Sequence, residues 1–467
     1  MNSINFLTRR RFLRAAAAGG IAYAFARTPG IAYAQMAGDD SFADYKALVC
    51  VFLFGGNDSW NMVVPSSDAE HAVYASSRQN LAVPKESLLP LNLAAADPSG
   101  WEFGLNSAMP GLAELFNAGR ASFVANVGPL LAPTTLAQYL DRSIALPPQL
   151  FSHNDQQGQW HSLRGNSVSK SGWAGRIADV LAPRVPGQQL ALNVSLSGQT
   201  LFQAGATSVP YTMGAAGPAP FNAFADTRLG ADRREAFTAL AEASYESLYE
   251  QAFADVYLRA LHFGGSVGNA LAATPDFASL PDNPTSPLSA LAVQLRTVAK
   301  LIAARNELAM SRQIFFVAAG GFDTHDDQAE DQPALLATLS DGLARFDAAV
   351  QQIGIGDQVV TFTQSDFGRT LTSNGDGTDH AWGGVQIVAG GAVTGGRVFG
   401  EYPLLRLGAR RSADRADDVG GGRFIPTLSS DQYAATLASW FGVAEADLHA
   451  IAPSIDNFTL RNLGFLA

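Results

Sequence analysis

Three short apolar runs, 47–54, 314–319 and 358–363, constrain this chain more than any other feature. Each is rich in Val, Phe and Ile and apolar at successive positions, so both faces of an extended segment would be buried. Interior strands of a parallel sheet read this way, whereas half-exposed strands alternate. Residues 121–127 make a fourth candidate, reached from a predicted helix at 109–118 that stops at Gly119. Between the strands the apolar period lengthens to three and four. Leu288, Leu291, Leu295, Val298 and Ile302 follow Pro287, a residue suited to a first helical turn. Residues 232–260 read as one long helix, and 335–352 as another that leads into the strand at 358. Strands alternating with helices predict an α/β fold, a mainly parallel sheet sandwiched between helices. The stretches 204–228 and 264–287 lack clear periodicity and read as loop insertions.

Chemistry gathers just beyond the strands. The first run is followed by Gly55-Gly56-Asn57-Asp58-Ser59, the second by Gly320-Gly321-Phe322-Asp323-Thr324-His325, and the third by Gln364-Ser365-Asp366-Phe367-Gly368-Arg369. In open α/β sheets ligands bind outside the carboxyl ends of the strands. Carboxylates, a histidine and glycines therefore converge on one edge. A second histidine, His380, ends the loop that precedes an apolar run at 385–389.

The N-terminus predicts export. Thr8-Arg9-Arg10-Arg11-Phe12-Leu13 is a twin-arginine motif ahead of an Ala/Gly run, and Ala32-Tyr33-Ala34 offers small residues for signal peptidase cleavage before Gln35. Residues 1–34 are thus a signal peptide, and 35–467 a single domain. The apolar stretch in the leader is too short to span a bilayer, which takes about 20 residues, and no later segment reaches that length. The expected partners are the twin-arginine translocase and signal peptidase, and the destination is the periplasm or the exterior. Since twin-arginine export moves folded proteins, it fits a chain that acquires a metal before it leaves the cytoplasm.

Removing the leader deletes five arginines and no acid, so the net charge moves from −11 to −16. An acidic chain without a basic run is a poor ligand for nucleic acid and repels anionic lipid heads. The single cysteine, Cys50, excludes an intramolecular disulfide and reads as a small core residue.

Carboxylates and imidazoles from separate strand ends are the ligand set of a hydrolytic metal centre. Zinc takes Asp and His, while manganese, magnesium and calcium favour sets richer in oxygen. Such an ion polarises a phosphoryl or sulfuryl oxygen and activates a nucleophile. The competing reading is that Asp58, Asp323 and Asp366 only cap helices or form turns. Their convergence with His325 and His380 favours the site. Asp376, between glycines, lacks the acidic spacing of a calcium loop and reads as a turn.

Two further residues stand out. Ser152, ahead of His153 and a Gln-rich segment, either caps a helix or serves as a nucleophile activated by His153 or the metal. Arg369 either clamps an oxyanion or pairs with a neighbouring aspartate.

These motifs together resemble the bacterial family labelled domain of unknown function 1501. The resemblance is carried by the leader, Phe54-Gly55-Gly56-Asn57-Asp58, Asn126-Val127-Gly128, Ser152-His153, Gly172-Trp173-Ala174-Gly175-Arg176, Phe322-Asp323-Thr324-His325, Ser365-Asp366-Phe367-Gly368-Arg369 and Asp379-His380. It covers nearly the whole mature chain. That family is similar to the alkaline phosphatase and sulfatase superfamily, which hydrolyses phosphate or sulfate esters at divalent metals. The resemblance implies Asp58 as the first-strand ligand, Asp323 and His325 as the middle pair, and Asp366 and His380 as late ligands. It also places Ser152 where a nucleophile would lie.

Two departures narrow this expectation. Phe367 follows Asp366 where the phosphatases carry His, and no Cys-x-Pro-x-Arg motif exists, which excludes a formylglycine sulfatase. The leading expectation is an exported, metal-dependent hydrolase-like protein acting on phosphate or sulfate esters. The alternative is an exported binding or assembly protein that keeps the fold without catalysis. An oxidoreductase finds no support beyond the leader, since neither GxGxxG nor a cysteine cluster is present.

Overall fold

The computed structural model describes residues 41–97, 100–219, 227–407 and 417–467, so the leader at 1–34 and the cleavage point before Gln35 lie outside the described residues. The strands in chain order are β1 (Lys46–Leu53), β2 (Val63–Pro65), β3 (Leu89–Pro90), β4 (Phe103–Leu105), β5 (Ala121–Gly128) and β6 (Asn193–Ser195). They continue with β7 (Tyr211–Thr212), β8 (Arg312–Ala319), β9 (Val359–Ser365), β10 (Gly384–Ala389), β11 (Val398–Phe399) and β12 (Leu428–Ser429). Nine of them form one sheet in the order β11-β5-β10-β9-β1-β8-β6-β7, with β12 also paired to β5. Only β10 pairs antiparallel with its neighbours in this sheet. The remaining three make a small antiparallel sheet, β2-β4-β3.

The helices that matter here are α1 (Asp68–Arg78), α2 (Pro110–Asn117), α3 (His153–Ser162), α4 (Trp173–Leu181), α5 (Arg228–Glu242) and α6 (Leu248–Ala273). After them come α7 (Ala290–Ala303), α8 (Gln328–Ile353) and α9 (Ser430–Phe441). Alternate β1 side chains enter two different cores. Ala47, Val49, Val51 and Leu53 share one with Phe116 of α2, Leu295 of α7 and Leu343 of α8. Leu48, Cys50 and Phe52 share the other with Trp160 of α3, Trp173 of α4 and Tyr433 of α9. The sheet is covered on both faces, as its non-alternating runs require. Each fully buried Val, Leu or Phe contributes roughly 1.5–3 kcal/mol. Cys50 is fully buried, and burial pushes its thiol up.

Three local expectations need correction. The single helix over 232–260 is two, α5 and α6, because Ser247 caps a new start by accepting from the Glu250 backbone N–H. The insertion at 264–287 begins inside α6, whose interior Gly264, Gly265 and Gly268 imitate loop composition. The helix before β9 starts at Gln328, well ahead of 335. Within the other insertion, 204–228, Tyr211–Thr212 adds an edge strand to the main sheet, and 220–226 lie outside the described residues.

Candidate metal centre

Parallel pairing sets Leu53 level with Ala319 and with Ser365, so the loops leaving β1, β8 and β9 emerge side by side. Gly55 makes their contact possible. Its φ is +115°, and a Cβ there would stand 2.4 Å from the Asp323 backbone nitrogen. An isolated antiparallel bridge between Arg369 and His380 folds the later loop back to the same edge. Helix α3 starts there too, with His153 as its first residue.

Asp323 is the centre of the cluster. His325 Nε2 lies 3.1 Å and His380 Nε2 3.3 Å from its Oδ1, and His153 Nε2 lies 3.3 Å from its Oδ2. His325 Nε2 and His380 Nε2 are 2.9 Å apart. One ligand atom each from His153, Asp323 and His380 falls within 4.8 Å of the others.

The far ring nitrogens set the tautomers. His153 Nδ1 faces Asp366 Oδ2 at 2.7 Å, His380 Nδ1 faces the Phe151 carbonyl at 2.8 Å, and His325 Nδ1 faces Asp379 Oδ1 at 3.4 Å. A carbonyl or carboxylate only accepts, so a proton on each Nδ1 is held by the oxygen it faces, and that tautomer frees Nε2 to bind a cation. Burial, with the charges of His153 and Arg369, holds His380 below its usual range and so favours its neutral ring, although the Phe151 hydrogen bond and the Asp323 charge pull the other way. Burial would raise the Asp323 carboxyl, but the Arg369 hydrogen bond and charge, with His325 and His153, hold it below the usual range.

Three imidazole Nε2 atoms thus lie 3.1–3.3 Å from one carboxylate, an arrangement that protonated imidazoles or a bound cation can hold together. This donor set fits a divalent ion: Asp and His are zinc ligands, and each imidazole is backed by the outer acceptor that ligating histidines usually have.

Of the residues expected at the site, the structure brings Asp323, His325 and His380 together, and His153 lies with them. Asp366 stands one layer out. Its Oδ2 accepts from His153 Nδ1 and from Gln157 Nε2 at 2.8 Å, so it orients a cluster residue. Asp58 is not brought to the cluster. Its carboxylate is fully buried, ion-paired to Arg78 of α1, and bonded by Gln328 Nε2 and the Trp60 backbone N–H.

Arg369 pairs with an aspartate instead of standing ready to clamp an anion. Its fully buried guanidinium is bonded to Asp323, the Gly55 carbonyl and both oxygens of Thr378. Ser152 occupies the N-cap position of α3, yet its Oγ caps no backbone N–H and donates to Asp155 Oδ2 at 2.7 Å. Asp376 lies in a turn, where Asn374 Oδ1 accepts from the backbone N–H groups of Asp376 and Gly377.

Sequence reasoning missed Arg78, the Phe151 carbonyl, Asp379 as a partner, and Arg423. Asp379 had a signal, since it precedes His380. Arg78 had none, because α1 looks like an ordinary surface helix. A cleft of about 370 Å³ opens beside His325 and His380, and Tyr139, Phe151, Asp379, Val419 and Arg423 complete its wall.

No characterised protein matches the chain in sequence at a significant level. Solved structures that resemble it include Ps i-CgsB, with a TM-score of 0.35 and 10% identity over 89% of this chain and 77% of that one. They also include the lipoteichoic acid synthase LtaP from Listeria monocytogenes, with a TM-score of 0.30 and 9% identity over 74% of this chain and 65% of that one. A mutant of the alkaline phosphatase PafA gives a TM-score of 0.24 and 12% identity over 71% of this chain and 64% of that one. Likenesses this distant carry no functional weight. The family model described as Protein of unknown function (DUF1501) matches residues 45–452, and the chain belongs to that family.

Proposed function

We propose that this chain is an exported metal-dependent hydrolase of phosphate or sulfate esters. One observation carries the reading: the Nε2 atoms of His153, His325 and His380 converge on the Asp323 carboxylate while each Nδ1 faces an oxygen acceptor. His153, Asp323 and His380 would hold the ion, with His325 beside them, and imidazole ligands favour zinc over magnesium or calcium. Bound there, the ion supplies Lewis acidity toward an ester oxygen and activates the attacking group. Arg369 keeps Asp323 ionised and oriented, Asp366 and Phe151 hold two imidazoles in place, and the neighbouring cleft receives the ester. Ser152 or a water supplies the attacking oxygen.

The leader motif supports export through the twin-arginine translocase and removal of residues 1–34 by signal peptidase. Among the described residues no helix is long and apolar enough to cross a membrane. Metal analysis of residues 35–467, purified without chelators, tests the centre. About one tightly held divalent ion per chain is expected from this cluster, and its loss in Asp323→Ala and His380→Ala. A folded protein that takes up no metal on titration removes the reading.

Phe367 favours a second one. Its ring packs 4.8 Å from His153 and 4.4 Å from His380, centroid to centroid, in place of a further ligand. On this reading the exported chain binds a partner or assists assembly without catalysis. Turnover of any ester in a broad panel with added zinc or manganese eliminates it.

A further inference from the structure

Among the described residues two arginines border the cluster, and they differ in what their nitrogens can still bind. Arg369 has no exposed side-chain surface, and its guanidinium is bonded to Asp323, Gly55 and Thr378. Arg423 lies in the wall of the cleft with 32% of its side chain exposed. Its Nε donates to the His380 carbonyl at 2.9 Å and its Nη1 to the Gly420 carbonyl at 3.2 Å. Nη2 donates to no acceptor among the described residues. The nearest carboxylate oxygen, Asp379 Oδ2, is 4.0 Å away. Arg423 is thus held by two fixed carbonyls with one edge of its fork open.

The segment that presents Arg423 is held firmly. Asp418 and Phe424 form an isolated bridge across a turn through Gly420, Gly421 and Gly422, all at positive φ. A Cβ at Gly422 would stand 2.7 Å from the Leu371 nitrogen, which itself donates to the Gly422 carbonyl at 3.2 Å. The ring of Phe151, whose carbonyl fixes His380, lies 5.6 Å from the guanidinium carbon. One short span therefore links Arg423, Phe151 and the cluster.

We propose that Arg423 is the residue that reads the oxyanion of the substrate, its Nη2 edge binding a tetrahedral phosphate or sulfate group in the cleft beside His325 and His380. This rests on the hydrolase reading and names the side chain that would hold its ester. The planar guanidinium suits such an anion, which accepts two parallel N–H bonds better than a single point charge. Asp379 and Asp323 oppose the anion. Arg369 and Arg423 balance them, and a divalent ion makes the region attractive. Attachment of Nε to the His380 carbonyl also fixes the distance between the anion and the cluster.

Calorimetric titration of the zinc-loaded mature chain with inorganic phosphate, and separately with inorganic sulfate, tests this. The wild type should bind at least one of them, and the one it binds names the ester class. Arg423→Gln should weaken that binding roughly tenfold to a hundredfold, the worth of charge-assisted hydrogen bonds, with zinc content unchanged. Arg423→Lys, which keeps the charge and loses the fork, should fall between the two. It decides the matter if the Gln variant does not fold.

Equal anion affinity in the variants at full zinc content overturns the role of Arg423 and leaves the hydrolase reading standing. A wild type that binds neither zinc nor anion overturns both. Arg423-dependent anion binding in a protein that takes up no zinc upholds Arg423 and removes the hydrolase reading.

Discussion

His153 Nδ1 and Asp366 Oδ2 meet at 2.7 Å, joining the first residue of helix α3 to the residue that follows strand β9. Asp366 is fully buried, and its other oxygen has no hydrogen-bond partner among the described residues. Such a carboxylate is costly unless it is hydrogen-bonded, and the His153 and Gln157 contacts of Oδ2 offset the cost while fixing the His153 ring beside Asp323.

Replacing Asp366 by Asn keeps the shape and removes the charge that fixes the His153 tautomer. Metal affinity of Asp366→Asn is expected to fall about 10–100-fold, the usual cost of losing an outer partner of a ligating histidine. Competition with a chromogenic chelator measures it. Complete loss of metal from a folded variant would instead make Asp366 a direct ligand.

Asp58 and Arg78 form an ion pair with no exposed side-chain surface on either partner. Asp58→Asn should therefore keep its metal. Arg78→Met should be destabilised by about 3–5 kcal/mol, because a buried carboxylate is left without its counter-charge. Urea unfolding gives the stability and elemental analysis the metal. Loss of metal in folded Asp58→Asn returns Asp58 to the ligand set.

The sequence makes the centre partly legible, and the boundary has a physical cause. Strands β1, β8 and β9 announce themselves because both faces are buried, and parallel pairing then forces Asp58, Asp323 and Asp366 to one edge. Which carboxylate meets the imidazoles depends on contacts between distant segments, and no local pattern encodes those. Asp58 is taken by an arginine from α1, and Asp366 by the first residue of α3. Arg369 and Arg423 are equally plausible anion clamps as letters. They differ only in burial and in which carbonyls their nitrogens meet. The split between α5 and α6 was readable, since Ser247 stands three residues before Glu250 in a capping pattern.

Ser152 gives an activity prediction. Its Oγ is bonded to Asp155, on the first turn of the same helix, and not to His153, whose ring nitrogens face Asp366 and Asp323. Ser152→Ala is expected to keep ester turnover within the same order of magnitude, with water as the attacking group. Steady-state kinetics on the best ester of a panel decides it. A loss of about a thousandfold or more marks a nucleophile and restores Ser152 to that role.

The last prediction concerns pH and two groups away from the cluster. His161 packs against Phe52, Phe202 and Phe316, its Nε2 has no hydrogen-bond partner among the described residues, and burial pushes its imidazole down to about 3. Burial pushes the Asp431 carboxyl up to about 7, against the Ser454 N–H, the Arg176 charge and the Ser429 hydroxyl, which favour ionisation. Below its ordinary value of 6.5 the unfolded chain protonates His161 while the native state refuses the proton. Stability from this group is complete above that pH and is lost as pH falls toward 3. Asp431 runs the other way. The native state keeps a proton that the unfolded chain releases near 3.8, so stability declines as pH rises from there to about 7. Between roughly pH 4 and 6.5 the two slopes oppose each other, each with a limit of about 1.4 kcal/mol per pH unit. His161→Phe removes the first slope, so its urea midpoint should fall with rising pH across this window. Asp431→Asn removes the second, so its midpoint should rise. Parallel profiles for the wild type and both variants would mean that neither group is held in the protonation state its burial requires.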